Sequence, residues 1–251
     1  MKTLIKHLIP LKVKDHLRDF YNVLRRTKYN YRPYIEITKD RKGIEIGGPS
    51  NIFKYILPIY RGCRSMSFVN YSNETVWEGK LNQETIFFKD KSGKQYISEA
   101  TDLSQFNDNT FEFVVSSNCL EHVANPLKAI KEWKRVGSGN IILILPKKEA
   151  NFDHKRQITS FEHIIKDYED DTDENDLTHL EEILELHDLS LDKRAGTFEQ
   201  FKNRSFKNSE NRCLHHHVFD PKLVEKISSY MGLKIVTQNS IDGNWVFLLS
   251  I

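Results

Sequence analysis

The 251-residue sequence has three cysteines, Cys63, Cys119 and Cys213, and none of them forms a CxxC pair. Isolated thiols build neither a disulfide scaffold nor a thiolate zinc knuckle, so a reducing, cytoplasmic setting is expected. No apolar run approaches the roughly 20 residues that a membrane span needs. Leu4-Ile5-Lys6-His7-Leu8-Ile9-Pro10 is too short and too interrupted for a signal-peptide core. The chain is therefore expected to be soluble or at most peripheral to a membrane. An excess of one charge is also missing: 37 Lys/Arg face 35 Asp/Glu, a formal +2, which gives no case for a dedicated nucleic-acid binder. Internal repeats and low-complexity linkers are absent, and the length suits one sizeable α/β domain carrying an insertion.

The charge that is present is unevenly spread. Residues 1–40 hold ten Lys/Arg against four Asp/Glu, whereas 167–192 hold twelve Asp/Glu and no Lys/Arg. Leu4, Leu8, Leu11, Leu17, Phe20, Tyr21 and Leu24 recur near helical spacing, so 1–40 reads as an N-terminal amphipathic segment, a lid or packing helix. Its basic face could instead touch anionic lipid or a charged substrate.

From 41 to 150 the pattern becomes strand, loop, helix, repeated, as in a parallel sheet with crossover helices. Gly43-Ile44-Glu45-Ile46 reads as a first strand, followed by the turn Gly47-Gly48-Pro49-Ser50 and a helix to about Tyr60. Ser65 to Asn70 and Phe111 to Ser117 read as further strands, Pro126 to Val136 as a helix, and Asn140 to Pro146 as a buried strand. Residues 151–217 break the rhythm with charged, His-bearing sequence and read as a helical insertion or substrate cap. Residues 218–251 return to the core with a helix from Pro221 to Met231 and two strands around Asp242-Gly243-Asn244.

An acidic residue in the first strand followed by glycines lets backbone approach a ligand closely and points helix N–H groups at an anion; Glu45, Gly47 and Gly48 occupy those places. Glycines also serve such turns for geometry alone. At the end of the second strand, where nucleotide-binding sheets place a carboxylate for ribose hydroxyls, the chain has Asn70, with Glu74 close behind. An amide can bond a hydroxyl but without charge assistance. Asp102-Leu103, one loop before the strand at Phe111, could accept from an adenine amine and pack on its ring, or Asp102 could simply cap the loop.

Glu45-Ile46-Gly47-Gly48, Asp102-Leu103 and Asn118-Cys119-Leu120-Glu121-His122-Val123 together resemble class I methyltransferases of the type 11 group, which use S-adenosylmethionine (SAM). The resemblance implies an α/β, Rossmann-like sheet with an antiparallel C-terminal hairpin. It implies that Glu45, Gly47 and Gly48 hold the methionine and ribose part of SAM, that Asp102 and Leu103 hold adenine, and that Asn118, Glu121 and His122 line the pocket. The Gly-Gly-Pro-Ser turn and Asn70 depart from the family pattern, which usually has alternating glycines and an acid.

Seven of the ten histidines lie between 151 and 217. This His-rich half is similar to that of a bacterial subgroup associated with capsule and lipopolysaccharide biosynthesis, which implies a small glycan-precursor or phosphorylated acceptor, an O-methyl phosphoramidate modification among the options. A methyl-accepting hydroxyl must lose its proton, so a base is sought. His154 beside Asp153 comes first, then His163 and a member of His215 to His217, in particular His217. Lys155, Arg156, Arg212 and His216 are the candidates for binding an anionic acceptor. Each histidine could equally bond the insertion to the core. No metal site is expected, because no HExxH spacing occurs and three adjacent histidines cannot face one point. Two other classes stay open: a non-catalytic SAM-fold module that binds a partner or glycan, and a nucleic-acid methyltransferase, disfavoured by the lack of an NPPY-type motif.

Overall fold

The computed structural model describes residues 30–77 and 79–251. Most of the expected N-terminal amphipathic helix falls outside these residues; the part that falls inside is α1 (Arg32–Thr38). Among the described residues no helix is long and apolar enough to cross a membrane.

One mixed sheet organises the chain. Its strands are β1 (Lys42–Ile46), β2 (Ser65–Asn70), β5 (Glu84–Phe88), β6 (Lys91–Ile97), β7 (Phe111–Ser117), β8 (Gly137–Pro146), β9 (Lys234–Ile241) and β10 (Asn244–Ser250), in the spatial order β5-β6-β2-β1-β7-β8-β10-β9. A separate two-stranded ribbon, β3 (Glu74–Thr75) with β4 (Gly79–Lys80), projects beyond the end of β2. Strands β6, β2, β1, β7 and β8 run parallel, so their C-terminal ends share one edge. The outer pairs β5–β6, β8–β10 and β10–β9 are antiparallel. This is the Rossmann-like α/β fold with a closing C-terminal hairpin. That hairpin turns on Asp242 and Gly243, both at positive φ (46° and 79°), the twist a two-residue connection between right-twisted strands requires.

Strand alternation explains the two cores. In β8, Ile141, Leu143 and Leu145 face one apolar cluster while Ile142 and Ile144 face the other. The first cluster is covered by α2 (Pro126–Val136), α3 (Phe161–Glu169) and α7 (Pro221–Tyr230). Helix α2 starts where Asn125 Oδ1 accepts from Lys128 N–H and Pro126 takes the first helical position, then buries Leu127, Ile130 and Trp133. The second cluster is closed by Tyr34 of α1 and by Phe53, Leu57 and Tyr60.

One expectation is corrected, and one hairpin is new. The segment after the glycine turn is not a continuous helix to Tyr60 but a π turn (Ile52–Ile56) and a 3-10 turn (Ile59–Arg61). Pro58 separates them, because it has no N–H to donate and drives Leu57 out of the helical region. The hairpin β5–β6 was not foreseen, since Lys91 to Ile97 is mostly polar although β6 lies inside the sheet between the edge strand β5 and β2.

Between β8 and α7 the chain forms α4 (Leu180–Leu186), α5 (Phe198–Phe206) and α6 (Asn208–Asn211), with a small core of their own around Leu180, Ile183, Phe201 and Leu214. Helix α3 differs from them: its Ile164 is buried in the first cluster.

Candidate functional site

A cavity of about 550 Å³ opens at the C-terminal edge of the parallel strands, over the switch point where the chain passes from β1 to β2 on one side and β7 on the other. Open α/β sheets bind ligands at that place, and the volume lies within the roughly 300–1,000 Å³ usual for ligand pockets. One half of its wall comes from strand tips: Gly47 after β1, Asn70 and Tyr71 after β2, Ser98, Glu99 and Ala100 after β6, and Asn118 and Cys119 after β7. The other half comes from Trp77, Glu121, His122, Phe152, Glu174 and His215, with Arg194, Arg204 and Arg212.

The strand-tip half is built for close backbone approach. Gly47 has φ +83°, and a Cβ there would stand 2.9 Å from the Cys119 side chain. Asn118 also lies in the left-handed region, φ +48°. Asn70 lines the wall while its Nδ2 donates to Gly48 O at 2.6 Å, which locks the glycine turn onto β2.

Glu45 and Gly48 lie beneath this wall rather than in it. Glu45 is fully buried, accepts from Ser50 N–H at 3.1 Å and takes a hydrogen bond from Tyr60 Oη. Burial and the adjacent Glu45 carboxylate push the Tyr60 phenol well above its ordinary pKa. Glu45 and Gly48, expected to touch cofactor, do not line the cavity and instead shape the turn that Gly47 presents. Asp102 and Leu103 are likewise outside the cavity. Asp102 is exposed and accepts from Ser104 N–H at 3.0 Å, the capping alternative, and its pKa is lowered by that bond. Leu103 is fully buried in the core. The acid at the wall on this side is Glu99, held by Arg212 Nη2 at 2.6 Å. Glu74, the possible substitute for Asn70, is exposed and away from the wall.

On the far half, Glu121 is 1 % exposed and neither carboxylate oxygen finds a hydrogen-bond partner among the described residues. Burial raises its pKa to about 7, against the pull of His215. His122 Nδ1 donates to Leu214 O at 3.0 Å, and burial holds its pKa well below the usual imidazole range. Nitrogen and oxygen atoms of Glu121, His122 and His215 lie within 4.8 Å of one another. His215 Nδ1 donates to Asp153 Oδ2 at 2.5 Å, and Asp153 also accepts from Arg156 Nη1 at 3.1 Å. Burial opposes the charged imidazolium, but the Asp153 and Glu121 carboxylates outweigh it and raise the His215 pKa. The same contacts outweigh burial at Asp153 and hold it down at about 2.

The four histidine and aspartate residues expected as bases are therefore not at the wall. His154 bonds Asp188 at 2.9 Å away from the cavity, because Asp153 turns inward to His215 and its chain neighbour turns out. His163 and His217 belong to a second cluster, in which His217 Nε2 donates to Asp167 Oδ2 at 2.8 Å. Of the expected anion binders, Arg212 alone reaches the cavity. Arg156 is 1 % exposed and donates through Nη1 and Nη2 to Asp153, Glu182 and the carbonyls of His215 and His216, so it ties these segments together. Lys155 is exposed and His216 is paired with Asn208 at 2.9 Å. Sequence reasoning missed Glu99, Arg194 and Arg204. The signal for Glu99 was its place directly after a strand, legible only once β6 is known.

Residues 61–145 match the family described as "Methyltransferase domain". The chain carries a SAM-dependent methyltransferase domain. Its cofactor is SAM, and the Gly47 lip, Asn70 and Glu99 offer the backbone approach and polar groups such a ligand needs. Among solved structures the methyltransferase is similar in fold to a SAM-dependent methyltransferase from Mesorhizobium loti, with 8% identity, 87% of this chain and 96% of that one covered, and a TM-score of 0.50. A SAM-dependent methyltransferase from Aquifex aeolicus is similar at 13% identity over 90% and 92% of the two chains, with a TM-score of 0.48. No curated protein matches the chain.

Proposed function

We propose that this methyltransferase transfers a methyl group to a hydroxyl of a small anionic acceptor, with His215 as the general base and Asp153 as the residue that orients it. The observation that carries the reading is the Asp153–His215 pair, aimed from a buried carboxylate toward the cavity beside the partnerless Glu121. A histidine whose Nδ1 is fixed by a carboxylate presents Nε2 as the acceptor. SAM supplies an electrophilic sulfonium methyl. The strand-tip half of the cavity, with Gly47, Asn70 and Glu99, would hold SAM, which would supply the methyl for the acceptor oxygen and leave as S-adenosylhomocysteine, while His215 Nε2 would take the hydroxyl proton. Most of the rate gain comes from alignment in a closed site. Arg194 lines the cavity without an ion pair among the described residues, whereas Arg204 is paired with Asp192 at 3.0 Å and Arg212 with Glu99 at 2.6 Å, so Arg194 is the guanidinium that suits phosphate or carboxylate on the acceptor. A glycan precursor of capsule or lipopolysaccharide fits this chemistry and is supported by the sequence resemblance of the His-rich half.

The test is methyl transfer from radiolabelled SAM to a panel of sugar phosphates, nucleotide sugars, neutral sugars and RNA. Activity on the phosphorylated acceptors, lost in His215→Ala, is expected. S-adenosylhomocysteine (SAH) binding without transfer to any acceptor would favour the non-catalytic module, and transfer to RNA the nucleic-acid reading.

A further inference from the structure

Behind the cavity wall lies a second convergence of side chains. His163 and Asp167 sit one helical turn apart on α3, and His179 ends the turn before α4. His217 belongs to the extended segment that leads into α7. The Nε2 atoms of His163 and His179 are 2.9 Å apart, His163 Nε2 is 3.3 Å from Asp167 Oδ2, and His217 Nε2 is 2.8 Å from the same oxygen. The donor atoms of all three histidines lie within 4.8 Å of one another. No two rings stack: interplanar angles are 73°, 53° and 74°, so the rings meet at their nitrogen tips. Thr172 Oγ1 donates to Asp167 Oδ1, leaving Oδ2 to face the cluster.

We infer that His163, His179, His217 and Asp167 form a four-ligand site for one divalent transition-metal ion of the zinc type. Three imidazoles and a carboxylate are ligands that zinc accepts, and bonds of about 2.0–2.1 Å in a tetrahedron separate ligand atoms by about 3.3–3.4 Å; the His163–Asp167 edge is 3.3 Å, and the His163–His179 and His217–Asp167 edges, at 2.9 and 2.8 Å, would open by about 0.5 Å on binding. The two imidazole nitrogens 2.9 Å apart share one proton as a hydrogen bond, and displacing that proton leaves both lone pairs for an ion. The sequence hid the site because the ligands come from three elements, and the adjacent histidines do diverge: His215 turns to Asp153, His216 to Asn208 and His217 to Asp167. The ion would pin the cap to the segment after β7, since His217 N–H donates to Glu121 O at 3.4 Å and Asn125 Nδ2 to Asp167 O at 2.9 Å. Its role is to hold the cap, and it does not depend on the identity of the acceptor.

The experiment measures metal content of the purified full chain, then titrates chelator-treated protein with Zn²⁺ and with Co²⁺ as a spectroscopic probe. One ion per chain is expected, with visible Co²⁺ absorption of tetrahedral intensity. Zn²⁺ about 100-fold above its dissociation constant is expected to raise the melting temperature by roughly 5–10 °C. His179→Asn and Asp167→Asn should each lose the ion, whereas Glu121→Gln and His154→Ala should keep it. Wild-type protein that binds neither ion and shows no thermal shift overturns the inference. So does an ion lost in Glu121→Gln but retained in His179→Asn, which would place it in the cavity. SAH titration of the same samples separates failure of the metal site from failure of the methyltransferase reading.

Discussion

The Glu45 carboxylate fills the space in which a side chain on Gly48 would begin: a Cβ there would stand 2.2 Å from Glu45 Cδ. The second glycine of the turn therefore serves the buried acid beneath it, and the first, Gly47, serves the ligand above. Gly48→Ala is expected to destabilise the fold by about 1–3 kcal/mol, the usual cost of overpacking, because Glu45 is already held by Ser50 and Tyr60 and cannot retreat. Chemical denaturation of the variant checks this; unchanged stability would exclude close packing of the Glu45 carboxylate against position 48.

Two acids near the loop after β6 make opposite predictions. Asp102→Ala removes an exposed loop cap and should leave SAH affinity unaltered, whereas Glu99→Ala removes the carboxylate at the cavity wall and should weaken SAH by roughly 10–100-fold. Calorimetric titration of both variants decides. The reverse ranking would restore Asp102 as the cofactor acid.

Activity should fall as the medium becomes acidic. His215 must be unprotonated to accept a proton, and its raised pKa moves the acid limb of kcat above the ordinary imidazole value. Removing the Asp153 charge in Asp153→Asn takes away the main support for the imidazolium, so the limb should shift to lower pH. His215→Ala should lower kcat by about 10²–10⁴-fold with SAM affinity retained. A pH profile that does not move in Asp153→Asn would exclude His215 as the base.

Acid should also unfold the cap. Asp153 is 2 % exposed and its folded-state pKa is about 2, below the ordinary carboxylate value near 4. A depressed acid stabilises the fold above its unfolded pKa, and the contribution is lost as pH falls through the folded one, here between about 4 and 2. The amount is roughly 2–3 kcal/mol. Stability curves of wild type and Asp153→Asn should converge at the bottom of that window and separate above it.

Arg194 stands at the cavity rim among exposed residues, so Arg194→Ala should raise KM for a phosphorylated acceptor with little change in kcat, the signature of binding lost equally in ground and transition states. Initial-rate kinetics with charged and neutral acceptors would measure it. An equal effect on both would exclude a role in anion binding.

By itself the sequence determined the layered fold. Alternation in Ile141 to Leu145, the capped apolar face of Pro126 to Val136 and the Asp242-Gly243 turn are local patterns, and local backbone preference with burial periodicity is enough to specify them. The segment from Asn118 to His122 was legible at the cavity through its resemblance to type 11 methyltransferases, not through periodicity. Which polar group serves which was decided only by tertiary structure. Asp153 chose His215, 62 residues away, over its neighbour His154, and Asp167 gathered His163 from its own helix and His217 from a strap 50 residues on. Buried charges are costly unless paired, and the partner is whichever group the packed fold brings within reach. Sequence adjacency carries no information about that.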